Sequence, residues 1–126
     1  MTRVLISTES RFPINRKSIK SVVEAFLNEQ KIKSEVEVSI SIVGDRKMRE
    51  LNKKYRNLEE TTPVLSFSLD EGKPFVNPPD EVLRLGDIVI SYPQTVAMAA
   101  AENKLIDQKI SELVRHGLSN LLGISH

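Results

Sequence analysis

The 126-residue chain has two histidines, His116 and His126, and both fall in its last stretch, HGLSNLLGISH. Counted from His116, Asn120 stands four residues on, Gly123 seven and His126 ten. Positions i and i+4 share one face of a helix, so His116 and Asn120 can converge on one metal ion. A glycine lets a chain leave a helix by a left-handed turn, and the residue three further on can then swing back as a third donor. His116, Asn120 and His126 are therefore a candidate metal site. The plainer alternative is a surface or core histidine at 116 and an unrelated one at 126. Gly117 bears on the choice: a mid-helix glycine costs about 1 kcal/mol against alanine, which points to a close backbone approach there.

The same intervals occur in the zinc pattern H-E-x-x-H-x-x-G-x-x-H of metzincin peptidases. Here Gly117 replaces the glutamate base and Asn120 the middle histidine. Without a base beside His116, proteolysis is disfavoured. Phosphodiester chemistry, where charge neutralisation is most of the task, is favoured. An amide oxygen is a weaker, harder donor than imidazole. The set should hold zinc poorly and stay open to Ni²⁺, Co²⁺ or Mn²⁺, with the terminal carboxylate of His126 as a further oxygen donor.

A second feature is basic. In RKMRELNKKYR, residues 46–56, six of eleven positions are Lys or Arg. On a helix Arg46, Arg49, Lys53 and Arg56 form one stripe, as phosphate tracking requires. The alternative is an ordinary solvated face paired with Glu50. Acidic pairs stand apart from it, at Glu59-Glu60, Asp70-Glu71 and Asp80-Glu81, so a polarised surface is expected.

The elements that must position these groups are legible. Val4-Leu5-Ile6 predicts a strand. Asn15 is a candidate cap for a helix whose apolar residues Ile19, Val22, Val23, Phe26 and Leu27 recur every three or four positions. EVEVSISIV, 35–43, alternates strictly and predicts a half-buried strand with one face wet or at an edge. After Gly44, Asp45 is read as a cap for a helix with a narrow apolar stripe of Met48, Leu51 and Tyr55. Pro63 holds Thr62 extended before a strand, Val64–Ser68. Residues 70–80 read as a loop, and LGDIVI, 85–90, as a strand buried on both sides. Pro93 suits the first turn of a third helix. A last helix carries Ile106, Ile110, Leu113, Val114, Leu118 and Leu121, with Gly123 as its stop. The order β-α-β-α-β-β-α-α predicts one α+β domain over residues 1–126. It would be a four-stranded mixed sheet packed with about four helices, the metal-site helix at the C-terminus.

Composition removes several classes. There is no cysteine, so disulfides and Cys-based zinc, iron–sulfur or nucleophile chemistry are excluded; this suits a reducing cytoplasm. The net charge is +1, so any nucleic-acid signal must be local. No apolar run nears the roughly 18 residues of a membrane span, and the start lacks the pattern of a secretion signal. Aromatic residues are 5% with no Trp, which weakens any base-stacking platform.

Four blocks then occur in order: Leu51-Asn52-x-x-Tyr55-Arg56, Thr62-Pro63-Val64-Leu65-Ser66-Phe67, Leu85-Gly86-Asp87-Ile88-Val89-Ile90, and His116-Gly117-x4-Leu122-Gly123-x2-His126. Together, from about residue 36 to 126, they resemble the bacterial YbeY family of metal-dependent single-strand endoribonucleases, or rRNA maturation factors. The family's blocks look like L-N-x-x-[YF]-R, T-[DN]-V-L-S-F, L-G-D-I-x-I and H-G-x-L-H-L-x-G-x-D-H. The resemblance implies zinc or another divalent metal, with His116 and His126 matching the first and third ligands. Arg56 matches the arginine placed beside the metal to engage substrate phosphate, and Asp87 an acid of structural role. It further implies a cytoplasmic enzyme acting on single-stranded rRNA, with the ribosome or its small subunit as partner and no membrane. This chain departs at Asn120 for the second histidine, at Ser119 and Ser125 for Leu and Asp, and at Pro63. Those departures leave a second expectation beside the enzyme: a weakened or metal-free relative that still docks on RNA or the ribosome.

Overall fold

The computed structural model describes residues 2–56, 62–68 and 82–124. Their elements are β1 (Thr2–Thr8), α1 (Arg16–Glu29), β2 (Val36–Val43), α2 (Asp45–Arg56), β3 (Val64–Ser68), β4 (Leu83–Ser91), α3 (Tyr92–Glu102) and α4 (Ile106–Leu122). The expected loop at 70–80, the three acidic pairs and His126 lie outside the described residues.

The strands form one sheet in the order β1-β2-β4-β3. β1 and β4 both run parallel to β2, and β3 is antiparallel to β4. The sheet is therefore mixed, as the pattern predicts. The alternation of β2 places Val36, Val38, Ile40 and Ile42 in the larger core, with Ile88 and Ile90 of β4, and α1 and α4 cover that face. The opposite face of β2 carries Glu37, Ser39 and Ser41, which are half-buried. β2 is an interior strand, so it meets the wet-face reading and not the edge one. A smaller core of Val43, Met48, Leu65 and Val89 lies on that second face, where α2 packs with Leu51 and Phe67.

Capping follows the sequence in most places. The Asn15 side chain accepts the N–H of Ser18 at 3.0 Å. The hydroxyl of Ser91 accepts the N–H of Gln94 at 3.3 Å, with Pro93 in the first turn of α3. Asp45 differs: it lies in the first turn of α2, where its charge meets the positive end of the helix. Its Oδ1 accepts the O–H of Ser91 at 3.0 Å, tying α2 to α3.

Gly86 marks an irregularity that the alternation does not reveal. The register between β2 and β4 slips between Glu37 and Val38, leaving Leu85 without a partner. Gly86 has φ +136°. A Cβ on it would stand 2.0 Å from the carbonyl oxygen of Phe67, so both the backbone angle and the space demand glycine.

Candidate metal centre and nucleic-acid interface

α4 is held on the sheet by Ile110, Leu113, Val114, Leu118 and Leu121, all buried. Gly117 is buried among them. A Cβ at this position would lie 2.8–3.0 Å from three carbons of the Ile88 side chain. The close backbone approach expected at Gly117 is thus to the central strand β4, and it lets α4 press directly on the sheet. His116 and Asn120 flank this contact and both are exposed. They are one turn apart on a single face. Among the described residues, neither side chain takes part in a hydrogen bond or ion pair.

α4 ends as the spacing predicts. Gly123 has φ 70°, its N–H donates to the Asn120 carbonyl at 3.2 Å, and the N–H of Ile124 donates to the Ser119 carbonyl at 2.9 Å. Ile124 then packs against the main core, so the chain turns back toward the body of the protein. The third donor, His126, lies beyond, outside the described residues. Among the described residues no group of three or more His, Asp or Glu could hold a metal. The donors that are described fit two places of a divalent-metal site: an imidazole nitrogen and an amide oxygen, exposed, unpaired and a helical turn apart.

The surroundings of the pair are polar and asymmetric. On one side Arg115 reaches α1, where Nη1 and Nη2 donate to the two carboxylate oxygens of Glu29 at 3.4 and 2.7 Å. Its guanidinium lies 5.1 Å from the centre of the Phe26 ring. That hydrogen bond from Arg115 is the main cause holding the Glu29 carboxyl below its ordinary value. An open groove of about 290 Å³ lies on this side, lined by Phe26, Glu112, Arg115, His116 and Ser119. Two turns before His116 along α4, Lys109 donates to Glu102 of α3 at 3.0 Å. This bond, with one from Lys104, lowers the Glu102 carboxyl. The Lys104 ammonium is raised by its hydrogen bond to Glu112 Oε1 at 2.6 Å, and by Glu102.

The basic stripe lies elsewhere. Arg46, Arg49, Lys53 and Arg56 are all exposed on α2. Arg46 meets Glu50 only at 3.8 Å between exposed groups, a pair of small energetic weight. α2 packs on the sheet face opposite to α4. Strand β4 and helix α3 touch both helices, and edge strand β3 also meets both. α4 lies against β3, and the last turn of α2 sets Tyr55 against Phe67 of β3, with ring centroids 4.6 Å apart. Arg56, next to Tyr55, therefore stands on the helix of the opposite sheet face from His116. His116 and Asn120 share one face of α4, while Arg56 stands on α2 on the other side of the sheet.

Helix α2 departs from the sequence reading in its apolar stripe. Tyr55, read with Met48 and Leu51 as apolar stripe, is 55% exposed, while Met48 is fully buried. Asn52 is buried in its place on α2. Asp87 is exposed on β4, paired in register with Ser39 on one side and Phe67 on the other.

Residues 6–126 match the model of the family described as "Endoribonuclease YbeY". A protein of that name from Dehalococcoides mccartyi (strain ATCC BAA-2100 / JCM 16839 / KCTC 5957 / BAV1) is 34% identical over 98% of this chain and 82% of its own. Another, from Roseiflexus sp. (strain RS-1), is 39% identical over 86% of this chain and 68% of its own. The fold is similar to the solution structure of TM1509 from Thermotoga maritima. That match has a TM-score of 0.62 and 24% identity over 98% of this chain and 74% of that one.

Proposed function

The chain belongs to the endoribonuclease YbeY family, and on that premise we propose that it is a hydrolase cutting internal phosphodiester bonds of single-stranded RNA. The proposed substrate is ribosomal RNA during maturation, met in the cytoplasm on the ribosome or its small subunit. The proposed cofactor is zinc or another divalent ion, held by His116, Asn120 and His126. The observation that carries this reading is the exposed, unpaired His116–Asn120 pair beside the glycine contact with Ile88.

A divalent ion there would supply charge neutralisation at the phosphate and acidify a water. The chain's own residues do the positioning. Gly117 lets α4 seat against Ile88, which fixes the height of His116 and Asn120 above the sheet. Arg56 offers a planar fork that pairs with two phosphate oxygens. Lys53 and Arg49, one and two turns back along the same stripe, add charge that tracks neighbouring phosphates. An RNA strand lying over the β3 edge would meet the stripe on one side and the donor pair on the other.

Asn120 itself favours a second reading, a metal-free RNA- or ribosome-binding relative, because an amide is a weaker donor than the family's imidazole. A cleavage assay on single-stranded and duplex RNA separates the two. The enzyme reading expects cuts in the single strand alone, abolished by EDTA and restored by zinc or manganese. RNA binding without metal-dependent cleavage would leave only the second.

A further inference from the structure

α2 presents more than charge. Tyr55 is 55% exposed, and its ring is braced by Phe67 of β3 at 4.6 Å and a 52° tilt. Lys54, beside it in the chain, holds its Nζ 5.2 Å from the centre of the Tyr55 ring. Lys47, seven residues before Lys54 and so on the same side of the helix, is also exposed. Exposing an aromatic ring to water forfeits the burial that its neighbours Met48 and Leu51 obtain. A ring fixed by a second aromatic, with cations around it, is the combination that single-stranded nucleic-acid sites use: stacking for the base, charge for the backbone.

We propose that Tyr55, braced by Phe67, is a stacking subsite for one unpaired nucleobase of the RNA that the α2 cations hold. The proposal rests on the RNA-cleaving reading above and adds to it a contact that reads single-strandedness. Phe67 is paired in register with Asp87, so both side chains stand on one face of the sheet, and Asp87 is exposed. A carboxylate there repels phosphate and accepts hydrogen bonds from amino groups on a base edge. The position therefore suits a base and not the backbone. Lys54 does not block it. An exposed cation–π contact is worth roughly 2- to 5-fold in affinity. A base–aromatic stack is worth roughly 5- to 150-fold. A base therefore displaces the ammonium, which its flexible stem then carries to a phosphate.

The test is fluorescence anisotropy with a labelled twelve-nucleotide single-stranded RNA and an abasic phosphodiester oligomer of the same length. It uses the wild-type protein, Tyr55→Phe and Tyr55→Leu, with thermal melts on each. Wild type should bind the RNA at least roughly 5-fold more tightly than the abasic oligomer. Tyr55→Phe should keep that preference within about 2-fold, and Tyr55→Leu should lose it while binding the abasic oligomer unchanged. The wild-type comparison stands even if Tyr55→Leu melts early. Equal binding of RNA and abasic oligomer by wild type, or a preference that survives in folded Tyr55→Leu, overturns the proposal and leaves the RNA reading intact. Failure of wild type to bind either oligomer overturns both.

Discussion

Replacing Gly117 with alanine tests how α4 sets the candidate site. Two effects oppose each other. Alanine gains about 1 kcal/mol of helix propensity. Its Cβ, however, would stand 2.8, 2.9 and 3.0 Å from Cγ2, Cδ1 and Cγ1 of Ile88, against roughly 3.5–4.0 Å for an unstrained carbon contact. Ile88 is fully buried on the central strand β4 and cannot turn away, so α4 must lift by somewhat under 1 Å. Overpacking of this kind costs about 1–3 kcal/mol. The clash exceeds the gain at most values, and Gly117→Ala should lower stability by about 1 kcal/mol, or roughly 3–5 °C in Tm for a chain of this size. The decisive control is Ile88→Ala, which removes all three clashing carbons. That change alone costs about 2–5 kcal/mol, but in its background Gly117→Ala should become stabilising by up to about 1 kcal/mol. The coupling between the two sites would then be about 2 kcal/mol, readable by urea denaturation as a double-mutant cycle. An equal effect of Gly117→Ala in both backgrounds would refute the close contact as the reason for glycine, and with it the argument that this contact sets the height of His116.

Three further outcomes follow from the same geometry. Gly86→Ala combines a left-handed φ with a Cβ 2.0 Å from the Phe67 carbonyl, so it should cost about 3 kcal/mol or more; a neutral effect in chemical denaturation would contradict the bulge. Glu29 and Glu102 both have lowered carboxyl pKa values. Their stabilisation is complete above the ordinary value of 4.5 and is lost as pH falls through the lowered folded values. Tm should therefore fall on acidification below that value, and Glu102→Gln should reduce the fall; Lys104, shifted upward, should keep its contribution until pH rises beyond about 10.5. Arg56→Ala should weaken single-stranded RNA binding several-fold and reduce the slope of log affinity against log salt by about 0.7. An unchanged slope would take Arg56 out of the interface.

Much of the fold was legible because hydrophobic period and local chemistry agreed. The period-two run of β2, the 3.6-period runs of α1 and α4, the Asn15 cap and the Gly123 turn each announce themselves locally. The mid-helix Gly117 also signalled a close approach, although only the structure identifies Ile88 as its partner. Three features were hidden for physical reasons. The strand order β1-β2-β4-β3 and the assignment of α2 and α4 to opposite faces depend on tertiary packing, which no local pattern records. The bulge at Gly86 looks like any strand residue until the register with β2 is known. Tyr55 carries an apolar period, yet it sits on the last turn of α2 at the rim of the sheet, where little remains to bury it. For the candidate site, the placement of His116 and Asn120 one turn apart on a helix was readable from spacing alone. The place of Arg56 was not, because it depends on which face of the sheet receives α2.

Zinc titration of wild type and Asn120→His, by competition with a chromophoric chelator, tests the metal centre most directly. An imidazole that binds the ion directly should tighten zinc by more than the roughly 10–100-fold typical of changes to groups that only support a ligand, and cleavage of single-stranded RNA should rise with it. Equal zinc affinity in the two proteins, or no zinc bound by either, would contradict a shared site for His116, Asn120 and His126.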